Sequence, residues 1–242
     1  MLKNENEFVK ARGLIMLASW ERTLELAYVN HRVITEVNKK QQVNWLLVDL
    51  GLENIMEEQI NQTLDKILIG FNRLFKYKSV QQASLGYFRM LDILKKDDMY
   101  HPRIHILLPV IKSYFQGRYY IKHDNWISLW SRALGIENGL YVKMKVVNGK
   151  EGKREIFKEK LLTFREQESE IPLRKSKIIT SRRLIGYSEL LKNVMEQLKS
   201  ENKSHLDMDE LCINDPIANH AFVNMLDWHP GLREDEQNPF FK

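Results

Sequence analysis

Two apolar runs separated by a short charged turn constrain this chain more than any other feature. Residues 84 to 94 (SLGYFRMLDIL) and Pro102 to Val110 (PRIHILLPV) flank the polar stretch Lys95 to Asp98, a pattern that reads as two antiparallel strands. In the second run, Ile104, Ile106, Leu108 and Val110 alternate with Arg103 and His105. Residues two apart on a strand share a face, so the aliphatic residues define a core face and Arg103 and His105 the other. If Leu94 lies opposite His101, antiparallel register sets Asp92 opposite Arg103 and Met90 opposite His105. Pro102 is expected to leave His101 in the turn.

The flanking segments supply the rest of a sheet. From Ser19, an expected N-cap, Trp20, Leu24, Ala27, Tyr28, Ile34 and Val37 recur mainly at three- and four-residue steps and predict a helix. Residues 43–50 (VNWLLVDL) read as a buried strand ended by Gly51. Residues 56–76 carry Met56, Ile60, Leu64, Ile67, Leu68, Phe71, Leu74 and Phe75 on one helical stripe. A helix over 124–135, capped by Asp124 and ended by Gly135, and a strand over 140–147 complete the series. The order β-α-β-β-α-β predicts an α+β fold, a ferredoxin-like antiparallel sheet with both helices on one face and the other open. Further on, Glu151 to Glu168 and Ser181 to Leu198 read as helices, and 205–242 as an irregular acidic tail anchored by Phe222, Trp228, Phe240 and Phe241. The predicted plan is an N-terminal helical segment (1–42), a core (43–150) and a helical extension with its tail (151–242).

Composition narrows the function classes. With 43% hydrophobic residues the chain can build a packed core, and its single cysteine, Cys212, excludes a disulfide framework and a cysteine-cluster zinc site. No apolar run reaches the roughly 18 residues of a membrane span, and MLKNENEFVK is too polar for a signal peptide, so no membrane partner and a cytoplasmic location are expected. The net charge is +5, unevenly spread: 205–242 holds eight acids and two bases, whereas 143–203 holds sixteen bases and nine acids. A basic stretch of this kind fits a polyanion, nucleic acid first, or else solvated helix faces. Lys112, Arg118, Lys122, Arg182 and Arg183, with Tyr114, Tyr119 and Tyr120, are candidates to track a single-stranded backbone and stack its bases; the competing reading is surface residues snorkelling around a core. His31, His123, His205 and His220 are expected at the surface, Cys212 as a small buried side chain, and Trp126 and Trp130 in the core.

Imidazoles at alternate strand positions, with a carboxylate as third ligand, can hold a divalent metal against a phosphate. His105, Asp92 and His101 are the candidate ligands. The segment containing them, residues 86 to 134 (GYFRMLDILKKDDMYHPRIHILLPVIKSYFQGRYYIKHDNWISLWSRAL), resembles the core of the rolling-circle replication initiators of small bacterial plasmids. These are nicking-joining enzymes of the class named for a His-hydrophobic-His motif. Segments 19–30, 45–55, 71–78, 182–192 and 224–232 are similar to that family as well. The resemblance implies a metal site on a ferredoxin-like sheet, taking Mn or Mg. It also implies a tyrosine nucleophile on a following helix, which attacks a phosphodiester at the plasmid origin and leaves a 5′-phosphotyrosyl bond and a free 3′-hydroxyl. Origin DNA, single- and double-stranded, is the implied partner, with a homodimer as an option.

The sequence departs from the family pattern at the residues that carry the chemistry. In a motif that reads His-Pro-His-hydrophobic-His, Arg103 holds the central position, and a guanidinium cannot ligate a metal. Asp92 stands where the family has glutamate; an ion pair between Asp92 and Arg103 is the alternative occupant of the site. On the nucleophile helix the best match is Glu155-Ile156-Phe157-Lys158-Glu159, which puts Glu159 in the tyrosine position and Glu155 in that of the water-activating glutamate, a general base. Tyr141, Tyr119 and Tyr120 are substitutes by proximity or, alternatively, core and stacking aromatics. The threonines usual in the first strand are Asp49 and Gly51. Two functions stay open: an initiator that binds the origin and nicks and joins it with a divalent metal, and a non-catalytic origin-binding regulator or relative that needs no metal.

Overall fold

In the computed structural model, described for residues 23–159, 183–200 and 214–234, the chain forms two compact units. The sheet unit comprises 41–146, 183–193 and 230–234 of these residues, and the helical unit comprises 23–40, 147–159, 194–200 and 214–229.

The sheet unit is built on the strand pair that the sequence marks most strongly. Strand β1 is Val43–Leu52, β2 Gly86–Lys96, β3 Met99–Ile111 and β4 Leu140–Val147, with helix α2 (Ile60–Leu74) after β1 and α4 (His123–Leu134) after β3. A short helix, α3 (Lys78–Ala83), precedes β2. Asp97 and Asp98, both with positive φ (48° and 60°), form the two-residue turn between β2 and β3, the geometry whose twist suits a tight hairpin. That turn fixes the register: Leu94 faces His101, Asp92 faces Arg103 and Met90 faces His105. β1 pairs antiparallel on the other side of β3, with Asp49 opposite His105 and Gly51 opposite Arg103. The strand order β4-β1-β3-β2 is that of a ferredoxin-like sheet, and the element order is the expected β-α-β-β-α-β.

The core lies on the face that carries the aliphatic residues of β3. Ile104, Ile106, Leu108 and Val110 pack with Leu46, Val48 and Leu50 of β1, Leu91 and Ile93 of β2, and the stripe Ile60, Leu64, Ile67, Phe71 and Leu74 of α2. From α4 come Trp126 and Trp130, both buried as expected, and Trp130 donates its indole N–H to the Gly51 carbonyl at 3.1 Å. Gly135 ends α4 in the left-handed conformation at φ 67°. At the other end, Lys122 is the N-cap and Asp124 lies inside the first turn, where it meets the helix dipole instead of capping.

Several expectations are corrected. His101 lies within β3, because Pro102 continues the strand one residue beyond the last pair with β1. The second face of the sheet is not open: Trp45, Leu47, Phe88, Met90, Leu107, Asp92 and His105 are all buried. The stretch read as one helix from Ser181 begins its described part with strand β5 (Ile185–Ser188), antiparallel to β2, and becomes helix α6 only at Glu189–Ser200. Tyr187, placed on the helical stripe by spacing, instead packs on Phe88 of β2 with ring centroids 4.8 Å apart. The acidic tail is not wholly irregular. Asp215 caps helix α7 (Pro216–Met225) by accepting from the Ile217 and Ala218 N–H groups, and strand β6 (Gly231–Glu234) runs parallel to β2.

In the helical unit, α1 (23–40) and α7 bury a polar pair: a His31 ring nitrogen and the Asn219 side-chain oxygen lie 2.9 Å apart. Phe157, from helix α5, whose described part is 154–159, and Phe222 pack around the His31 ring. His220 is buried as well and pairs with Glu151 at 2.8 Å. These two histidines are therefore core residues, whereas His123 is exposed as expected. His205, Cys212, Ser19, Phe240 and Phe241 lie outside the described residues.

Ile106 is fully buried at the centre of β3, in the core to which α2 and α4 both contribute. Ile106→Ala should therefore cost about 2–5 kcal/mol of unfolding free energy, read from denaturant midpoints.

Candidate functional site on the sheet

The site forms where three neighbouring strands bring ionisable side chains together on one face, Asp49 opposite His105 and Asp92 diagonal to it. His105 projects from β3 on the face opposite the core, with Asp49 of β1 on one side and Asp92 of β2 on the other. Its Nδ1 lies 2.7 Å from Asp49 Oδ1 and its Nε2 3.1 Å from Asp92 Oδ2. Burial works against the charged ring, but hydrogen bonds to Asp49 and Asp92, together with the charges of both carboxylates, outweigh it and raise the His105 pKa from 6.5 to about 9. At neutral pH the ring is an imidazolium that donates from both nitrogens.

One pair along β3, Arg103 takes a different direction. It faces Asp92 across the ladder but does not pair with it, because Asp92 is turned to His105. The guanidinium instead lies over the Tyr141 ring of β4, 3.7 Å from the centroid, and its nearest carboxylate oxygen is Glu53 Oε1 at 3.5 Å. The arm reaches Tyr141 by crossing β1 at Gly51. A Cβ at that position would sit 2.4 Å from the Pro102 carbonyl oxygen and 2.9 Å from Arg103 Cγ.

These positions test whether the residues fit a divalent metal. The two nitrogens of His105 point in opposite directions, each at a carboxylate, so no single ion can reach Asp49, His105 and Asp92 together. His101 lies two positions before Arg103, with Nδ1 3.5 Å from the Asn54 backbone N–H, and does not join the group. Arg103 brings a positive charge where a donor would be needed. Among the described residues no group of three or more His, Cys, Asp or Glu side chains is disposed to hold a metal ion. The donor set does not fit one.

The other candidates are spread over the molecule. Glu155 is exposed on α5 in the helical unit, and Glu159 lies on the same helix. Lys112, Arg118 and Lys122 are exposed in the segment that follows β3. Eight residue steps along the strand take Arg103 to Ile111, about 26 Å at 3.3 Å per residue, so these cations mark the other end of the sheet. Arg118, Tyr119 and Tyr120 there line a cavity of about 360 Å³. Arg183 is exposed just before β5, next to Leu184, whose carbonyl accepts from Leu91 N–H; Arg182 lies outside the described residues. Reasoning from sequence missed Asp49 and Glu53 as site residues. The available signal was Asp49 itself, the single charge in the run VNWLLVDL, but using it requires the β1–β3 register.

The strand order and the charged line across β1, β3 and β2 define the class: a ferredoxin-like α+β domain with its site on the sheet. The model of the Replication protein family matches residues 14–234, and the chain belongs to that family, the plasmid Rep proteins that segment 86–134 resembles. A Protein rep of Bacillus amyloliquefaciens is 32% identical, the alignment covering 93% of this chain and 75% of the relative. A Protein rep of a Bacillus species is 31% identical, covering 93% and 81%. A Replication protein of Staphylococcus aureus is 24% identical, covering 81% and 93%. No solved structure matches. Among the described residues no helix is long and apolar enough to cross a membrane.

The raised pKa of His105 makes a prediction whose sign is fixed. A group that gains proton affinity on folding stabilises the fold fully below its unfolded pKa, and that contribution is lost as pH rises through the folded pKa. Between pH 6.5 and about 9, the His105 contribution, about 3 kcal/mol at most, should disappear. The His105 ring should titrate near 9 by NMR, and Asp49→Asn should lower that value.

Proposed function

We propose that this replication protein acts at a plasmid rolling-circle origin by binding the origin DNA, in single- and double-stranded form, without itself nicking it. The observation that carries this reading is the donor set of the sheet site. His105 is engaged at both nitrogens by carboxylates, and the neighbouring motif position is the guanidinium of Arg103. Metal-assisted phosphodiester transfer needs a cation on the scissile phosphate and a nucleophile aligned with it. A carboxylate at the tyrosine position cannot form a phosphotyrosyl bond, and that position holds Glu159. Binding needs neither. The excess of positive charge over residues 143–203 and the exposed Lys112, Arg118, Lys122 and Arg183 suit a phosphate backbone.

The second reading, an initiator that nicks and joins, is favoured by the relatives that carry the name Replication protein, and one experiment separates the two. Origin oligonucleotides should bind with an affinity that falls steeply with salt, by a log-log slope of about −0.7 per phosphate contact on single strands. A supercoiled origin plasmid with manganese or magnesium should show no nicking above background and no covalent adduct. Arg103→His and Glu159→Tyr together should recover cleavage, and either alone little, because both act on one transition state. Robust nicking by the unaltered chain would establish the second reading.

A further inference from the structure

We propose that Arg103, laid across β1 onto Tyr141, is itself the phosphate-binding cation of the sheet site, so that this chain grips a DNA phosphate there without a metal ion. The inference rests on the origin-binding reading and names the contact through which that reading works on the sheet.

Three observations converge on it. First, the arm is placed and not merely tolerated. It passes over Gly51, where any side chain would collide with Pro102 and Arg103, and comes to rest with the guanidinium 3.7 Å from the Tyr141 ring centroid. Stacking of this kind fixes the plane of the fork and leaves its N–H edge free to donate. Second, the fork is under-used. Arg103 Nε is buried with no hydrogen-bond partner among the described residues, and Glu53 at 3.5 Å is its one carboxylate contact. A guanidinium has five N–H donors, and a stacked one with a single long contact has capacity for a bidentate acceptor. Third, the nearer acid is turned away. Asp92 faces Arg103 directly in the ladder, yet its Oδ2 bonds His105, as does Asp49 Oδ1, and neither forms an ion pair with the guanidinium. His105 thus engages a carboxylate oxygen of each aspartate, and Glu53, whose side chain is 40% exposed, is the carboxylate at the guanidinium, a partner that an incoming phosphate can displace. The Arg103 side chain itself is 22% exposed, enough for its outer edge to be reached from solvent.

The alterations at 49, 51 and 103 therefore form one structure. Asp49 holds His105, Gly51 clears the path, and Arg103 occupies it.

The test is binding of a single-stranded origin oligonucleotide by fluorescence anisotropy, in excess chelator and across a salt series. It uses the full chain and Arg103→Gln, Arg103→Lys and Lys66→Gln, with near-ultraviolet circular dichroism on each variant. Lys66 is exposed on α2, the helix that covers the opposite face of the sheet, so Lys66→Gln controls for the loss of one charge. The unaltered chain should bind equally well with chelator or manganese. Arg103→Gln should weaken binding about tenfold and reduce the salt slope by about 0.7. Arg103→Lys should keep the slope but lose affinity, since an ammonium neither stacks nor forks. Lys66→Gln should bind as the unaltered chain does. Unchanged affinity and slope in Arg103→Gln, or binding abolished by chelator, would overturn the proposal while leaving origin binding intact. If the unaltered chain binds no oligonucleotide, the origin-binding reading fails on its own. Inorganic pyrophosphate then decides about the arginine: a shift of the Arg103 Nε–H resonance on titration sustains the site, and an unmoved resonance overturns it.

Discussion

Burying a carboxylate and an imidazole on one sheet face costs several kcal/mol per charge unless they pair. In the line Asp49–His105–Asp92 the buried Asp92 and His105 pair with each other, while Asp49, at the other ring nitrogen, is partly exposed. Each of the three central strands contributes one member, Asp49 directly opposite His105 and Asp92 on the diagonal, so the line ties β1, β3 and β2 together. Its geometry determines what else can happen nearby. Each ring nitrogen lies against a carboxylate on a different strand, so the imidazole and the two aspartates do not converge on one point. With Asp92 Oδ2 and Asp49 Oδ1 turned to His105, Arg103 keeps only the 3.5 Å contact with Glu53 and lies over an aromatic ring two strands away.

How far this was legible in the sequence follows from chain distance. The β2–β3 hairpin could be read in full, because a two-residue turn fixes register and alternation fixes face; Asp92 opposite Arg103 and Met90 opposite His105 needed nothing more. The core stripe of α2 and the tryptophans of α4 were equally visible as periodicity. The partner of His105 on its other side was not, because β1 and β3 are joined through two helices and a strand, and nothing local sets Asp49 against His105. The same limit explains the expected Asp92–Arg103 pair. Facing residues were identified correctly, but the competition of His105 for Asp92 is a three-strand property. Strands β5 and β6 were missed for a related reason. Four residues cannot display a period, and the stability of these strands comes from the edge of β2 that they cover.

The histidines of the helical unit carry the same lesson. His31 and His220 have no ligand-like spacing, which is correct, yet neither lies at the surface. Burial desolvates His31 and lowers its pKa, with a hydrogen bond from the ring N–H to the Asn219 side-chain oxygen and the charge of Asp215 opposing the shift, whereas at His105 two hydrogen-bonded carboxylates reverse the balance. The same side chain, buried in both places, is neutral in one and charged in the other because of what the fold puts against it.

The central claim is that the sheet site is organised around a doubly hydrogen-bonded imidazolium and a stacked guanidinium, and not around a divalent ion. Diffraction from crystals grown in excess manganese, with data collected on either side of the manganese absorption edge, measures this directly. The account predicts no anomalous peak beside His105, both ring nitrogens within hydrogen-bonding distance of Asp49 and Asp92, and Arg103 still on Tyr141. A manganese peak shared by His105 and Asp92, with Arg103 displaced from the ring, would contradict it.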